Sequence, residues 1–318
     1  MANFSTRLRC PQAVPLLIVA GPTAAGKSAL ALNLALRLGG EIISADSVQV
    51  YRGLDIGSAK PSREDQTAAT HHLIDVCAPE ESMDAGRYAD LARRAISDIH
   101  RRDRPVLLAG GSGLYLKALL FGLADIPAIA PELRRDLRNE MKIQGPLPLY
   151  ARLRSLDPDG AARIQARDRQ RILRALEVVL QTGRPLSAYQ SRHWQKPLYP
   201  YLLWAIERPR EELKELIARR SREMWRQGLA AEVTALLEQG VNPQAPAFNS
   251  LGYRQALAFV SGRMSEDEAL SQMIRLTQAY AKRQMTWFKA MPGVKWISAG
   301  QDIYQESLNF LQKKDISI

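Results

Sequence analysis

Two rhythms alternate along most of the chain. Runs that are apolar almost throughout, at 16–20 (LLIVA), 41–45 (EIISA), 105–109 (PVLLA) and 201–206 (YLLWAI), predict strands buried on both faces; 71–76 (HHLIDV) and 293–298 predict two more. Between them apolar residues return every three or four positions. Leu30, Leu34 and Leu38 predict a helix after the first run, and Leu91, Ala95 and Ile99 predict one over 85–101. Further helices are expected up to Leu123, over 212–227 and over 265–290. Strands alternating with helices are the signature of a mostly parallel sheet covered by helices.

The alternation stops between Asp125 and Pro200. Pro127, Pro131, Pro146 and Pro148 punctuate this stretch, which reads as helices at about 132–143, 147–155 and 168–182. The expected organisation is therefore a first part of the core at 1–123, a helical insertion domain at 124–199, and a second part of the core with C-terminal helices at 200–318. Residues beyond Ser298 read as an irregular tail. There is no internal repeat and no low-complexity linker.

Composition narrows the class. The chain has 318 residues, 46% of them hydrophobic, enough for one large or two modest domains. Its first fifteen residues contain no apolar signal core, and no run approaches membrane-spanning length, so a cytoplasmic protein with no membrane partner is expected. Two distant cysteines, Cys10 and Cys77, fit neither a disulfide framework nor a zinc site and are expected to be inert. The formal charge is +11, divided as +2 over residues 1–120 and +9 over 121–318. An excess concentrated downstream points to a polyanionic partner held by the later part of the chain.

The chemistry begins after the first strand. Gly21, Gly26, Lys27 and Ser28 fill the pattern G-x-x-x-x-G-K-[ST] between a strand and a helix, the context of a phosphate-binding loop. Backbone N–H groups, the Lys27 charge and the helix N-terminus would all face phosphate oxygens. Asp46 ends the second strand and should stand near that loop, because ligands in open α/β sheets gather at the carboxyl ends of strands. It could equally cap a turn. After 105–109 come Gly110, Gly111, Ser112 and Gly113, where many phosphate-loop enzymes place a metal-binding Asp; a second phosphate contact or a tight packing turn would suit these residues. His71 and His72 point to opposite faces of a strand and are read as structural.

Charged stripes complete the reading. Arg163, Arg167, Arg171 and Arg174 would share one helical face if the helix begins early enough, with Ile172, Leu176 and Val179 opposite, which favours phosphodiester contact. Arg220 shares a stripe with Leu213, Ile217 and Met224, so it needs a carboxylate or a ligand phosphate. Near the end of the last long helix, Lys282, Arg283 and Lys289 interleave with Trp287 and Phe288, a combination that suits nucleic acid or a packed core.

With these residues in place, the sequence closely resembles the tRNA dimethylallyltransferase (isopentenyltransferase) family. The resemblance rests on seven blocks in order: GPTAAGKS at 21–28, DSVQVYRGLDIGSAKP at 46–61, HHLIDV at 71–76, GGSGLYLKAL at 110–119, RQRILRALEV at 169–178, LGYRQ at 251–255 and AKRQMTWF at 281–288. It implies an α/β, P-loop NTPase-like, mostly parallel sheet flanked by helices, with a helical insertion domain. It also implies transfer of a dimethylallyl group from dimethylallyl diphosphate to N6 of the adenine 3′ of the anticodon (position 37), in tRNAs reading codons that begin with U.

The site follows from the same resemblance. Gly21, Thr23, Ala24, Ala25, Gly26, Lys27 and Ser28 would hold the diphosphate, with Ser28 on Mg²⁺. Asp46 would be the base, with Ser112 and Arg220 as catalytic partners. Asp46, Ser47, Val48, Gln49, Ser112, Arg134, Arg167, Gln170, Arg171, Arg174, Gly252, Tyr253, Arg254, Lys282, Arg283 and Gln284 would meet the anticodon stem-loop of the tRNA. Ser112 and Ser58 stand where the family commonly has Thr, and Asn249-Ser250-Leu251 departs from its usual residues. A monomer is expected. A P-loop kinase of a small metabolite, a transferase acting on free adenine nucleotides, and a non-catalytic RNA-binding protein are the rival readings.

Overall fold

The computed structural model describes residues 14–189 and 196–313. Six strands form one wholly parallel sheet in the order β3-β2-β4-β1-β5-β6. The strands are β1 (Leu16–Ala20), β2 (Glu41–Ser44), β3 (His71–His72), β4 (Val106–Gly110), β5 (Tyr201–Glu207) and β6 (Val294–Ser298). Every side chain of β1 and β2 is buried, as strands covered on both faces require. Helix α1 (Lys27–Leu38) follows β1 and leads toward β2, whereas β5 lies on the other side of β1 from β4. The chain thus leaves β1 and β4 in opposite directions, and the crevice outside their carboxyl ends is the switch point of the sheet.

Short α2 (Arg63–Ala68), then α3 (Ala85–His100) and α4 (Gly113–Phe121), complete the first part of the core. The expected strand over 71–76 pairs only at His71 and His72, because Leu73 and Asp75 adopt φ of 61° and 57° and turn the chain out of the ladder. It then makes a single bridge, Cys77 to Tyr51.

Backbone packing separates two compact units: the chain up to Phe121 with Pro197 onward, and Gly122–Lys196 between them. The second unit is helical: α5 (Pro131–Gln144), α6 (Pro146–Leu156), α7 (Pro158–Ala161), α8 (Arg169–Thr182) and α9 (Leu186–Tyr189). Its own core gathers Leu137, Met141, Leu149, Leu153, Ile172 and Leu176. Prolines start three of these helices at their first turn, where the missing N–H costs nothing.

After β5 come α10 (Arg210–Arg226), α11 (Leu229–Glu238), α12 (Tyr253–Val260) and α13 (Glu266–Lys289), the last opened by a Ser265–Glu268 capping box. Helices α11–α13 pack a second core against the 46–61 segment through Val50, Leu54, Leu229, Phe248, Tyr253 and Met273. The expected irregular tail is instead helix α14 (Tyr304–Gln312), seated by buried Ile303 and Leu311 and by the Trp204 indole N–H donating to Glu306 at 3.0 Å. No helix among the described residues is long and apolar enough to cross a membrane.

Candidate functional site

The phosphate loop leaves β1 at Gly21, where a Cβ would stand 3.1 Å from the backbone N and O of Ile206 on β5. Ala24 is held at φ 63°, an uncommon left-handed conformation for a residue with a side chain, and Gly26 at φ 99° caps α1. The Lys27 ammonium donates to the Pro22 carbonyl at 2.7 Å. Burial and then the nearby Arg220 guanidinium push its pKa down to about 8, while Asp46 pulls it back up. Arg220 is also lowered by burial and raised by Asp46, and among the described residues it has no ion pair within 4 Å. The partner that its apolar stripe requires is therefore a shared field rather than a single carboxylate. A cavity of about 1160 Å³ is lined by Gly26, Lys27, Ser28, Lys60, Arg219 and Arg220.

Asp46 follows β2 and accepts from the backbone N–H of Val48 at 2.8 Å and, more weakly, Gln49 at 3.4 Å. The turn-capping role and a place near the loop coincide in one residue. The Ser112 N–H donates to the Ala45 carbonyl at 3.1 Å, and its hydroxyl accepts from the Ser47 N–H at 3.1 Å. Ser112 is thus tied to the residues on either side of Asp46, by its backbone N–H to Ala45 and by its hydroxyl to Ser47. A sequence-silent neighbour joins them: the half-buried Tyr280 phenol is pushed up to about 12, by burial first and then by the Asp46 charge.

Three of the side chains expected to meet RNA are buried, with their hydrogen bonds made inside the protein. Gln49 is buried; its amide oxygen accepts from the Ser44 hydroxyl at 2.8 Å and its NH₂ donates to the Ala59 carbonyl at 3.1 Å. Tyr253 is fully buried, with its hydroxyl on Glu232 at 2.6 Å. Glu232, which sequence reasoning passed over, also accepts from the N–H groups of Asp55 at 3.1 Å and Ile56 at 2.8 Å, so it pins the 46–61 segment. Gln284 is buried too, accepting from the Thr23 N–H and donating to the Gly111 carbonyl, each at 2.9 Å. That Thr23 N–H is consequently engaged inside the protein. Gly252 is buried at φ 88°, whereas Arg254, Lys282 and Arg283 are exposed. Ser47 and Val48 are half-buried beside Asp46.

In the helical unit the expected four-arginine stripe does not form. Asp168 caps α8 by accepting from the Arg171 N–H at 3.1 Å, so Arg163 and Arg167 precede the helix. Arg171 pairs with Asp168 at 3.5 Å, and Arg134 and Arg174 reach the buried Glu177 at 3.5 and 3.4 Å. Arg167 and Gln170 are exposed. The inward stripe of Ile172, Leu176 and Val179 is buried as expected.

No cluster of three or more His, Cys, Asp or Glu that could hold a metal exists among the described residues. The His71 Nδ1 meets the Ala69 carbonyl at 2.7 Å and the His72 Nε2 meets Glu41 at 2.7 Å, the structural roles expected. Cys77 is buried and its thiol is raised by burial; Cys10 lies outside the described residues.

The sequence matches the IPP transferase family over residues 49–291. It is 44% identical over 289 residues to a tRNA dimethylallyltransferase of Desulfatibacillum aliphaticivorans, covering 91% of this chain and 94% of that one. It is 45% identical to one of Myxococcus xanthus, covering 89% and 92%. Among solved structures, the tRNA isopentenylpyrophosphate transferase of Bacillus halodurans superposes with a TM-score of 0.68 at 34% identity, covering 94% of this chain and 97% of that one. A eukaryotic dimethylallyltransferase acting on tRNA gives 0.74 at 26%, covering 94% and 77%.

Proposed function

The chain belongs to the IPP transferase family, and from that premise we propose how its residues carry out the transfer of a dimethylallyl group to tRNA. The donor is dimethylallyl diphosphate and the acceptor is N6 of the adenine 3′ of the anticodon, in tRNAs reading codons that begin with U. One observation carries the reading: the carboxylate of Asp46 shares a field with two half-buried cations, Lys27 and Arg220, and β4 ends in glycines and Ser112 where a carboxylate could have stood. The arrangement suits a leaving diphosphate beside a base.

The diphosphate lies on the loop at 21–28. Lys27 and Arg220 offset the charge that grows on its bridging oxygen as the C1–O bond breaks. An allylic carbon bears cationic character well, so alignment and leaving-group stabilisation account for most of the barrier reduction. The N6 lone pair is delocalised into the purine ring. Asp46 accepts an N6 proton as the new C1–N6 bond forms, and Ser112 keeps the Asp46 turn in place. The adenine reaches this depth only by leaving the stack. Arg254, Lys282, Arg283 and the arginines around α8 meet phosphodiesters and unpaired bases.

Mg²⁺ fits the residues present. Ser28, in the first turn of α1, offers one hydroxyl, and a magnesium ion held by one protein oxygen, diphosphate oxygens and water needs no carboxylate cluster. It would supply further charge neutralisation to the leaving group. A cytoplasmic location and a monomeric state belong to the same proposal.

The test is incubation with labelled dimethylallyl diphosphate and unmodified tRNA, AMP or ATP in parallel, followed by digestion to nucleosides. Label in N6-dimethylallyladenosine from tRNA is expected. Transfer to AMP in preference, or ATP turnover without allyl transfer, would overturn it.

A further inference from the structure

Helix α13 presents Tyr280, Gln284 and Trp287 at spacings of four and three, which is one stripe of a helix. That stripe meets three successive residues of the turn after β4. Gln284 packs on Gly111 and Trp287 packs on Gly113, with Tyr280 one turn earlier beside Ser112. The approach is so close that a Cβ on Gly111 would stand 2.2 Å from the Gln284 amide nitrogen, and one on Gly113 would stand 2.1 Å from the Trp287 ring. A helix face and a turn are thereby held in close contact.

Gln284 alone reaches beyond that turn. Its carboxamide oxygen accepts from Thr23 in the phosphate loop while its NH₂ donates to Gly111, both at 2.9 Å, and the residue is 6% exposed. Thr23 follows β1 and Gly111 follows β4, the two adjacent strands from which the chain departs in opposite directions. A single side chain therefore bridges the crevice at the switch point. On one side stands the loop proposed to hold the diphosphate; on the other stands Ser112, tied through Ser47 to the Asp46 turn. Both ends of the amide are used, since its carbonyl oxygen accepts and its NH₂ donates from one rigid plane.

We infer that Gln284 is a positioning residue for the transfer: it fixes the separation between the leaving-group loop and the Ser112–Asp46 side of the site, and so the distance from donor C1 to acceptor N6. This rests on the function proposed above. Its amide is already engaged on both sides inside the protein, so its loss should slow the chemical step while leaving binding nearly intact; a misplacement of about 1 Å costs on the order of 10²-fold in rate.

The test uses the full-length protein with unmodified tRNA and dimethylallyl diphosphate. Gln284→Met keeps the length and removes both hydrogen bonds. Its kcat should fall about 10²-fold, with both KM values within about threefold and the folded fraction, followed by circular dichroism, unchanged. Gln284→Glu keeps an acceptor for Thr23 but sets a carboxylate against the Gly111 carbonyl, so its rate relative to wild type should recover as pH falls and the carboxyl gains a proton to donate. Normalising to wild type at each pH removes the titration of Asp46.

A Gln284→Met kcat within twofold of wild type would overturn the inference. So would a tenfold rise in the tRNA KM at unchanged kcat, which would return Gln284 to the RNA surface, or a loss of rate that merely tracks the folded fraction. If Gln284→Met does not fold, a flat relative pH profile for Gln284→Glu overturns it independently. If wild type transfers no allyl group to tRNA, the functional reading falls and takes the inference with it.

Discussion

Two sets of basic residues serve this molecule in opposite ways. Around the phosphate loop, Lys27 and Arg220 are partly desolvated, Arg220 lowers Lys27 further, and neither has an ion-pair partner among the described residues. Around α8, Arg171 is exposed and paired with Asp168, while Arg134 and Arg174 share Glu177. The first set already bears the cost of dehydration and gains most from a small, densely charged anion. The second set remains hydrated, its interactions are weak and screened, and it suits a long polymer whose counterions it can displace.

The sharpest way to break that contrast is at the carboxylate the half-buried cations share. Asp46→Asn should lower kcat by roughly 10²- to 10⁴-fold in single-turnover assays, with tRNA affinity within a few-fold; near-normal turnover would remove Asp46 as the base. Lys27→Met should cost about 10³-fold in kcat yet stabilise the ligand-free protein. With the Lys27 ammonium at about 8 against 10.5 when free, the unfolded chain binds the extra proton between those values. Stability then rises with pH across that window, and below it the buried charge costs up to roughly 3 kcal/mol. The melting advantage of Lys27→Met should therefore be largest near pH 7 and shrink from pH 8 to 10. A constant gap would show that desolvation is not the cause.

Smaller effects separate the two sets further. Arg220→Gln should raise the KM for dimethylallyl diphosphate about ten- to a hundredfold, since one charge-assisted anion contact is lost, with little change in tRNA affinity. Arg167→Glu with Arg171→Glu should weaken tRNA binding about tenfold and flatten the salt dependence of log K by about one to two, read by filter binding, without altering the rate at saturating tRNA. A change in that rate would merge the two sets.

Much of this contrast was legible in the chain. Apolar runs ending in small residues located the loops after β1 and β4, and the isolated Arg220 on an apolar stripe announced an unusual environment. What stayed hidden depended on backbone and on distance. Asp168 is a helix cap that moves Arg163 and Arg167 off α8, and its signal, an Asp before an apolar-periodic run, was present but outweighed by the arginine spacing. Leucine seldom adopts positive φ, so the early end of β3 at Leu73 had no sequence mark. Gln49, Tyr253 and Gln284 lie in blocks that resemble RNA-modifying enzymes, and polar side chains there read as RNA contacts; only the fold shows that their hydrogen bonds are satisfied inside. Their burial could not be inferred from residue type.

The crowding of the turn after β4 has a consequence for how the protein can change over time. A Cβ on Gly110 would lie 2.1 Å from the Ala45 carbonyl oxygen, and Gly111 and Gly113 are shut in by Gln284 and Trp287. Gly110 is therefore closed to any side chain by backbone, while a side chain at Gly111 or Gly113 would have to displace Gln284 or Trp287. Drift in substrate preference has almost no raw material here. It must arise in the exposed arginines and loops, which can vary without disturbing the reaction centre.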